Sequence, residues 1–499
     1  MEQIVIWWLK KDFRLEDNPA LTWSLENGTQ VVPVFILEPS AINAPETSRR
    51  HVDSWLSALR ELRSRLRKNS GELCVLTGEV LPELQKLRAV LPFHKIVSHE
   101  EVGIERTFAR DRAVKKWARE EGVEWIELRQ TGVFRGLKDR DLRASYWKEW
   151  MGQGPLATPS ANALQKISVP KQVMDLRAAE NRRLTGSGEK GFQPVTESAA
   201  QKTLETFLHQ RGLNYSSGIS SPNTAFHSGS RLSVHLAWGT ITGRNVYDAV
   251  QKRVLELKES DDPDAGKWRR SLSSFLARLN WRDHFIQRLE SEPQMEFHSL
   301  NEAYDDLPFV TDEDVVNAWK MGETGLPLVD AVIRCAQQTG FMNFRMRCMI
   351  TSVGCHALQM DWRDIDHAMA RWWTDYEPGI HLSQLQMQAG VVGINTLRTY
   401  NPAKQISDHD PTARFVKRWV PELKPYTVEE IIAHQTEPLK GYLRPIIDWK
   451  AGTSEMRSNY YAIKRTDRAK ALAEIVFENH GSRKGPTRRP KKKAAGAKA

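Results

Sequence analysis

The chain has 499 residues, enough for two or three domains, and its 40% hydrophobic content with a mean hydropathy of -0.53 describes a soluble globular protein. Its formal charge is +10, yet eight basic residues and no acid lie between His480 and Ala499, which leaves the body near +2 and makes the surplus a property of the tail. No run of about 18 apolar residues appears, MEQIVIWWLKKDF lacks a signal-peptide layout, and Cys74, Cys335, Cys348 and Cys355 show no CxxC spacing, so a cytoplasmic protein without membrane spans, disulfide framework or bound metal is expected.

In chain order, the first 130 residues alternate strand and helix signals at the rhythm of a parallel α/β sheet. The apolar runs IVIWWL, VVPVFIL, LCVLTG, KIVSHE and EWIELR are separated by helical patterns such as VDSWLSALRELRSRLRK, where Trp55, Leu56, Leu59 and Leu62 share a face. This predicts a doubly wound parallel sheet domain over residues 1–135, with Glu38 at the carboxyl end of a strand, where ligands of such sheets sit. Residues 136–210, with GQGPLATPSA, ISVPKQ and LTGSGEKGFQP, read as an interdomain linker running over the surface. Gly186, Gly188 and Gly191 spell GxGxxG there, but the match neither follows a strand nor opens an apolar helix, so it is read as flexible linker. From 211 to 479 the chain is helix-rich, predicting an all-α domain able to enclose a large ligand. The tail, 480–499, cannot bury enough apolar surface to fold alone; it either neutralises phosphates or serves as a solubilising end.

The helical region carries a series of chemically distinctive segments. SGSRLSVHLAWGTIT begins as a helix N-cap box, and such termini also favour anions. It is followed by FLARLNWRDHF, GETGLPLVDAVIRC, TGFMNFRMRC, MDWRD, TDYEPGIHLSQLQMQ, RTYNPAKQ and RFVKRWVPEL. This ordered set, with an N-terminal IVIWWLKKDFRLEDNPAL, resembles the photolyase/cryptochrome family over nearly the whole chain to about residue 475. The resemblance implies an N-terminal α/β antenna domain and a helical domain binding FAD. It also implies that Tyr215, Gly229, Ser230, Arg231, Leu232, Ser233, Phe275, Arg282 and Phe341 contact the cofactor, as do Arg347, Asp375, Glu377 and His381. In this reading Arg347 pairs with Asp375 beside the isoalloxazine, Glu377 meets the ring edge, and His381 faces N5, either neutral or charged. Trp281 is the aromatic platform for a damaged base, and Arg278, Asn343, Phe344, Arg345, Met387 and Gln405 are the remaining DNA contacts. Trp281, Arg347, Asp375, His381 and Trp362 form the implied catalytic set.

The chain departs from the family pattern at several of these positions. Gly229 stands where a Thr is usual, and Arg278 replaces a carboxylate that holds damaged bases. Leu385 and Met387 replace two tryptophans, so the usual electron path through Trp362 loses its neighbour, while Trp372 and Trp373 offer another route or simply pack. The expected reaction is blue-light splitting of cyclobutane pyrimidine dimers by a divergent bacterial-type photolyase acting as a monomer on UV-damaged DNA. The alternatives are a cryptochrome photoreceptor, a flavoprotein that has lost its photochemistry and, ranked lower because Asn343 and Phe344 stand where a His pair is expected, a (6-4) photolyase. Glu38 and Glu105 are candidate contacts for an antenna chromophore whose identity stays open.

Overall fold

The computed structural model describes residues 3–175, 192–310 and 312–481. Strands β1 (Ile4–Leu9), β2 (Gln30–Leu37), β3 (Cys74–Thr77), β4 (Lys95–His99) and β5 (Glu124–Leu128) form one parallel sheet in the order β3-β2-β1-β4-β5. Strand β1 pairs with β2 from Ile4↔Gln30 to Leu9↔Phe35 and with β4 from Val5↔Lys95 to Trp7↔Val97. Both faces are covered by helices, which is why β1 and β2 read as unbroken apolar runs. Val5, Trp7 and Leu9 pack with Leu59 and Leu62 of the helix Arg49–Arg67, while Ile6 and Trp8 face Leu84, Leu87 and Trp117 on the other side. The strand order reverses at β1, so a crevice opens beyond its carboxyl end.

The stretch expected to be a surface linker is built into both halves. Its helix Arg143–Gly152 buries Trp147 and Met151, and Trp147 Nε1 donates to Asp283 Oδ2 at 2.9 Å. Farther on, Ile167 is buried against the sheet and forms a parallel bridge with Val31. Single apolar residues spaced among polar ones hold this segment, which is why no periodic signal announces it. The Gly186, Gly188 and Gly191 match lies outside the described residues, as does the basic tail beyond Gly481.

The helical part has two cores. One gathers Trp147, Leu204, Phe207, Tyr215, Val246 and Phe275; the other centres on Val329, Met346, Trp362, Trp373 and Leu382. The helix Ala265–Ser291 runs through both, with Leu272 and Leu279 in the first and Leu289 in the second. No described helix is long and apolar enough to cross a membrane.

Sheet and helical halves are fastened by buried polar contacts. Arg244 pairs with Asp17, both buried, and Arg14 donates to the Gly239 carbonyl at 2.9 Å. Gly239 has φ +67°, and a Cβ there would sit 1.8 Å from the Lys11 carbonyl oxygen, so only glycine permits this approach. Arg50 donates to the carbonyls of Ala336, Gln337 and Trp372, capping two helix C-termini from across the interface.

Candidate functional site

The site is assembled where the two helical cores meet. Arg211 donates to the carbonyls of Gly229, Ser230 and Thr203, which fixes the loop leading into the helix Ser233–Ala237. Leu232 is fully buried and anchors that loop, while Ser233 lies close enough to the Asp375 carboxylate to help lower its pKa. Arg231 sits at φ +59°, an unfavourable backbone for a side chain with a Cβ, and such outliers collect at binding sites. Its guanidinium lies 3.6 Å over the Phe341 ring, and its buried Nη1 has no hydrogen-bond partner. Burial pushes its pKa down to about 10, with Asp375 opposing and Arg211 and Arg347 adding to the shift.

Arg347 donates through Nη2 to both Asp375 oxygens at 2.9 and 3.2 Å, through Nε to the Met342 carbonyl, and stacks 4.2 Å over Trp373. Burial raises the Asp375 pKa, but Arg347, Ser233 and Arg231 outweigh it and hold the carboxyl below its ordinary value. Two guanidinium groups thus share one carboxylate, with Arg211 close behind Arg231, and a pyrophosphate would complete the balance. Tyr215 and Phe275 pack edge to face with Phe207, and burial pushes the Tyr215 hydroxyl up to about 12.

A second set of groups lies on the helix Pro378–Ala389. Glu377 is its N-cap residue, 7% exposed, with a buried Oε1 that has no partner and Arg282 Nη2 at 3.9 Å. Arg282 donates to Asp283 and to the Leu236 carbonyl, and both Arg282 and Glu377 line a cleft between sheet and helices. His381 is buried, and its Nε2 lies 2.7 Å from Asp366 Oδ1. A neutral imidazole so held carries its proton on Nε2 and leaves Nδ1 as an acceptor. No sequence motif marks Asp366, Arg211 or Arg50: Asp366 meets His381 15 positions on, Arg211 bonds to carbonyls 8 to 19 positions away, and Arg50 reaches across the chain to carbonyls 286 to 322 positions away.

The expected DNA contacts divide by exposure. Trp281 is 48% exposed and Phe344 53%, with Arg278 also on the surface, whereas Arg345 and Met387 are half-buried. Asn343 and Gln405 are buried; Asn343 donates to the carbonyls of Ile219 and Ser220. Trp362 is buried and donates to Ser299 Oγ at 3.1 Å, and no aromatic ring pairs with it among the described residues. Trp373 and Trp372 have ring centres 6.1 Å apart, and Trp372 and Trp319 5.3 Å.

Beyond the sheet's carboxyl edge lies a cleft walled in part by Trp8, Phe35, Trp55 and Trp238. Glu38 lines it and pairs with Arg110 at 2.9 Å, while the Glu105 side chain turns outward to Arg112. Aromatic rings with charged groups such as Glu38, Glu101, Arg106 and Arg110 between them suit a planar heterocycle that carries polar substituents. Among the described residues no cluster of His, Cys, Asp or Glu has the make-up of a metal site, and all four cysteines are buried free thiols.

Residues 5–135 match the DNA photolyase family and residues 275–462 the FAD binding domain of DNA photolyase. A deoxyribodipyrimidine photo-lyase of Synechococcus is 25% identical over 92% of this chain and 97% of its own length. Cryptochrome DASH of Xenopus laevis is 26% identical, covering 85% of this chain and 83% of its own. Among solved structures, a class III photolyase of Agrobacterium tumefaciens superposes with a TM-score of 0.77 at 25% identity, covering 93% of this chain and 98% of that one. An archaeal photolyase from Sulfolobus tokodaii that holds two FAD molecules gives 0.75 at 25% identity, covering 92% and 100%.

Proposed function

We propose that this chain, which belongs to the photolyase/cryptochrome family, is a deoxyribodipyrimidine photo-lyase that binds FAD and splits cyclobutane pyrimidine dimers in blue light. The observation that carries the cofactor is the excess of guanidinium charge at Arg211, Arg231 and Arg347 over the single carboxylate Asp375. The unpartnered Arg231 Nη1 and Glu377 Oε1 fit the same ligand, since buried polar atoms without partners await one. Reduced and excited by light, bound FAD supplies the electron that opens the cyclobutane ring and takes it back.

The chain's own residues bind, orient and exclude water. Arg231, with Arg211 holding its loop, takes the pyrophosphate, while Tyr215 and Phe275 wall the pocket beneath it. Asp375, kept ionised by Arg347, and the unpartnered Glu377 would accept hydrogen bonds from the flavin when it is bound. His381, oriented by Asp366 through Nε2, would leave Nδ1 free to accept a hydrogen bond from the bound cofactor. The exposed Trp281 stacks a base that has left the duplex, a step that is least costly where pairing is already damaged. Arg278, Phe344 and Arg345 frame the mouth, with Met387 as its flexible apolar wall. In this reading residues 1–135 form the antenna domain, whose aromatic cleft beside Glu38 takes a second chromophore, 136–210 connect the halves, 211–479 hold FAD, and 480–499 are a basic extension. The protein acts as a monomer in the cytoplasm; light scattering on the purified chain reports the first and imaging of a tagged chain the second.

The deciding experiment is blue-light illumination of a thymine-dimer oligonucleotide with chemically pre-reduced protein, followed by chromatography. Restored thymines that are absent in the dark control are expected. An unchanged dimer with reduced FAD bound would move the assignment to a photoreceptor.

A further inference from the structure

A second group of cations lies away from the cofactor cradle, where the end of the helix Ala265–Ser291 meets the turn Arg140–Leu142, the helix Arg143–Gly152 and the last residue of the helix Asp467–His480. Arg288 is 4% exposed, yet its Nε and Nη1 are buried without a hydrogen-bond partner. Its guanidinium lies 5.7 Å from the centre of the Phe285 ring. Arg143 donates through Nη2 to Asn280, but its Nη1 is likewise buried and without partner. His480 is 8% exposed with an unpartnered Nε2, and Glu292, its nearest carboxylate, stays 3.9 Å away. Arg140 donates to the carbonyls of Phe477 and Glu478 and brings a further positive charge close by.

Burying an unpaired guanidinium is expensive; Asp283 offsets part of that cost at Arg143, but no acid does so at Arg288. Burial pushes the Arg288 pKa down to about 10, with Arg140 adding to the fall and no acid opposing it. His284, one turn before Arg288, is pushed down to about 3 by burial and by Arg288, Arg143, Arg140 and His480, so all five groups share one electrostatic environment. Residues three and four apart lie on one helix face. Trp281, His284 and Arg288 therefore form a single stripe, and the Trp281 and His284 ring centres are 5.2 Å apart. The exposed aromatic platform and the buried Arg288 thus share one helix face.

We propose that Arg288, Arg143 and His480 form an oxyanion site for a phosphate group, adjoining Trp281. Guanidinium donors in a desolvated recess, with neutral imidazole N–H groups around them, bind phosphate oxygens by charge-assisted hydrogen bonds. The phosphate is either a free anion or a phosphodiester of the DNA strand that reaches Trp281. The first case is independent of the repair function, and the second rests on it.

The test uses the full-length, FAD-loaded protein. Thermal unfolding is followed in potassium phosphate and in potassium chloride at equal ionic strength and pH, for the wild type and Arg288→Met. Binding of an undamaged duplex is measured in both against salt concentration. A phosphate-specific rise in Tm that Arg288→Met abolishes, with the DNA salt slope unchanged, identifies a free-anion site. A salt slope shallower by about 0.9 in Arg288→Met, the share of one phosphate contact, identifies the DNA backbone. Equal melting in both salts together with equal salt slopes overturns the proposal. If Arg288→Met does not fold, Arg143→Gln and His480→Gln carry the same two readouts.

Discussion

At the residue scale, Arg347 holds Asp375, stacks on Trp373 and caps the Met342 carbonyl at once. Removing it leaves a buried carboxylate without its cation, a loss of about 3–5 kcal/mol in comparable buried pairs. Arg347→Ala should therefore yield protein that is colourless when purified, and retention of full flavin absorbance at 450 nm (about the usual flavin maximum) would remove the cradle from the cofactor assignment. Trp281 differs because it is half exposed and its ring touches only His284 and Phe285. Stacking one base on an aromatic ring is worth about 1–3 kcal/mol, so Trp281→Ala should weaken damaged-DNA binding roughly 5- to 150-fold while leaving flavin content unchanged. Equal loss of both would make the residue structural.

At the scale of elements, the helix Trp362–Trp372 carries tryptophans at both ends, and their surroundings differ. Trp362 bonds to Ser299, and Leu385 stands where the family resemblance implies a tryptophan next to it. At the other end, Trp373 under Arg347 continues to Trp372 and Trp319 through ring-centre distances of 6.1 and 5.3 Å. Illumination of oxidised holoprotein with a thiol reductant should therefore bleach the flavin several-fold more slowly in Trp373→Phe, with little change in Trp362→Phe. The reverse order would restore the usual path despite Leu385. The strands and the main helices were legible in the sequence because burial on one or both faces repeats along them, as at Ile4–Leu9 and Arg49–Arg67. Trp319 was not, since its pairing with Trp372 joins positions 53 apart in the chain. Nor was the seat of Trp147 and Ile167, each a lone apolar residue in a polar stretch, nor the Asp366 partner of His381, which no local motif ties to it.

At the scale of the whole molecule, sheet and helical halves meet around His51. It sits on the helix Arg49–Arg67, 1% exposed, stacked on Tyr376 and against Trp238. Its Nδ1 accepts from the Ser48 amide, so Nε2 carries the proton and donates to the Trp373 carbonyl at 2.8 Å. Burial lowers its pKa from 6.5 to about 4; the Trp373 carbonyl and Asp375 oppose the shift, while Arg50 and Arg371 add to it. Because the folded pKa lies below the unfolded one, the unfolded chain takes up the proton first. Stability is thus complete above about pH 6.5, falls as the pH drops towards about 4, and levels off below. The full loss amounts to roughly 3 kcal/mol at about 1.4 kcal/mol per pH unit. His235, pushed down to about 3 by burial and Arg231, and His356, pushed down to about 4 by burial against an opposing Ala389 carbonyl, act in the same direction, so the wild type should lose stability steeply in acid. His51→Gln retains an N–H for the Trp373 carbonyl but cannot be charged. Urea unfolding of both proteins from pH 7 to 4 should give curves that converge as the pH falls, with the variant the flatter of the two. Parallel curves would mean that protonation of His51 is not what loosens the contact between the halves.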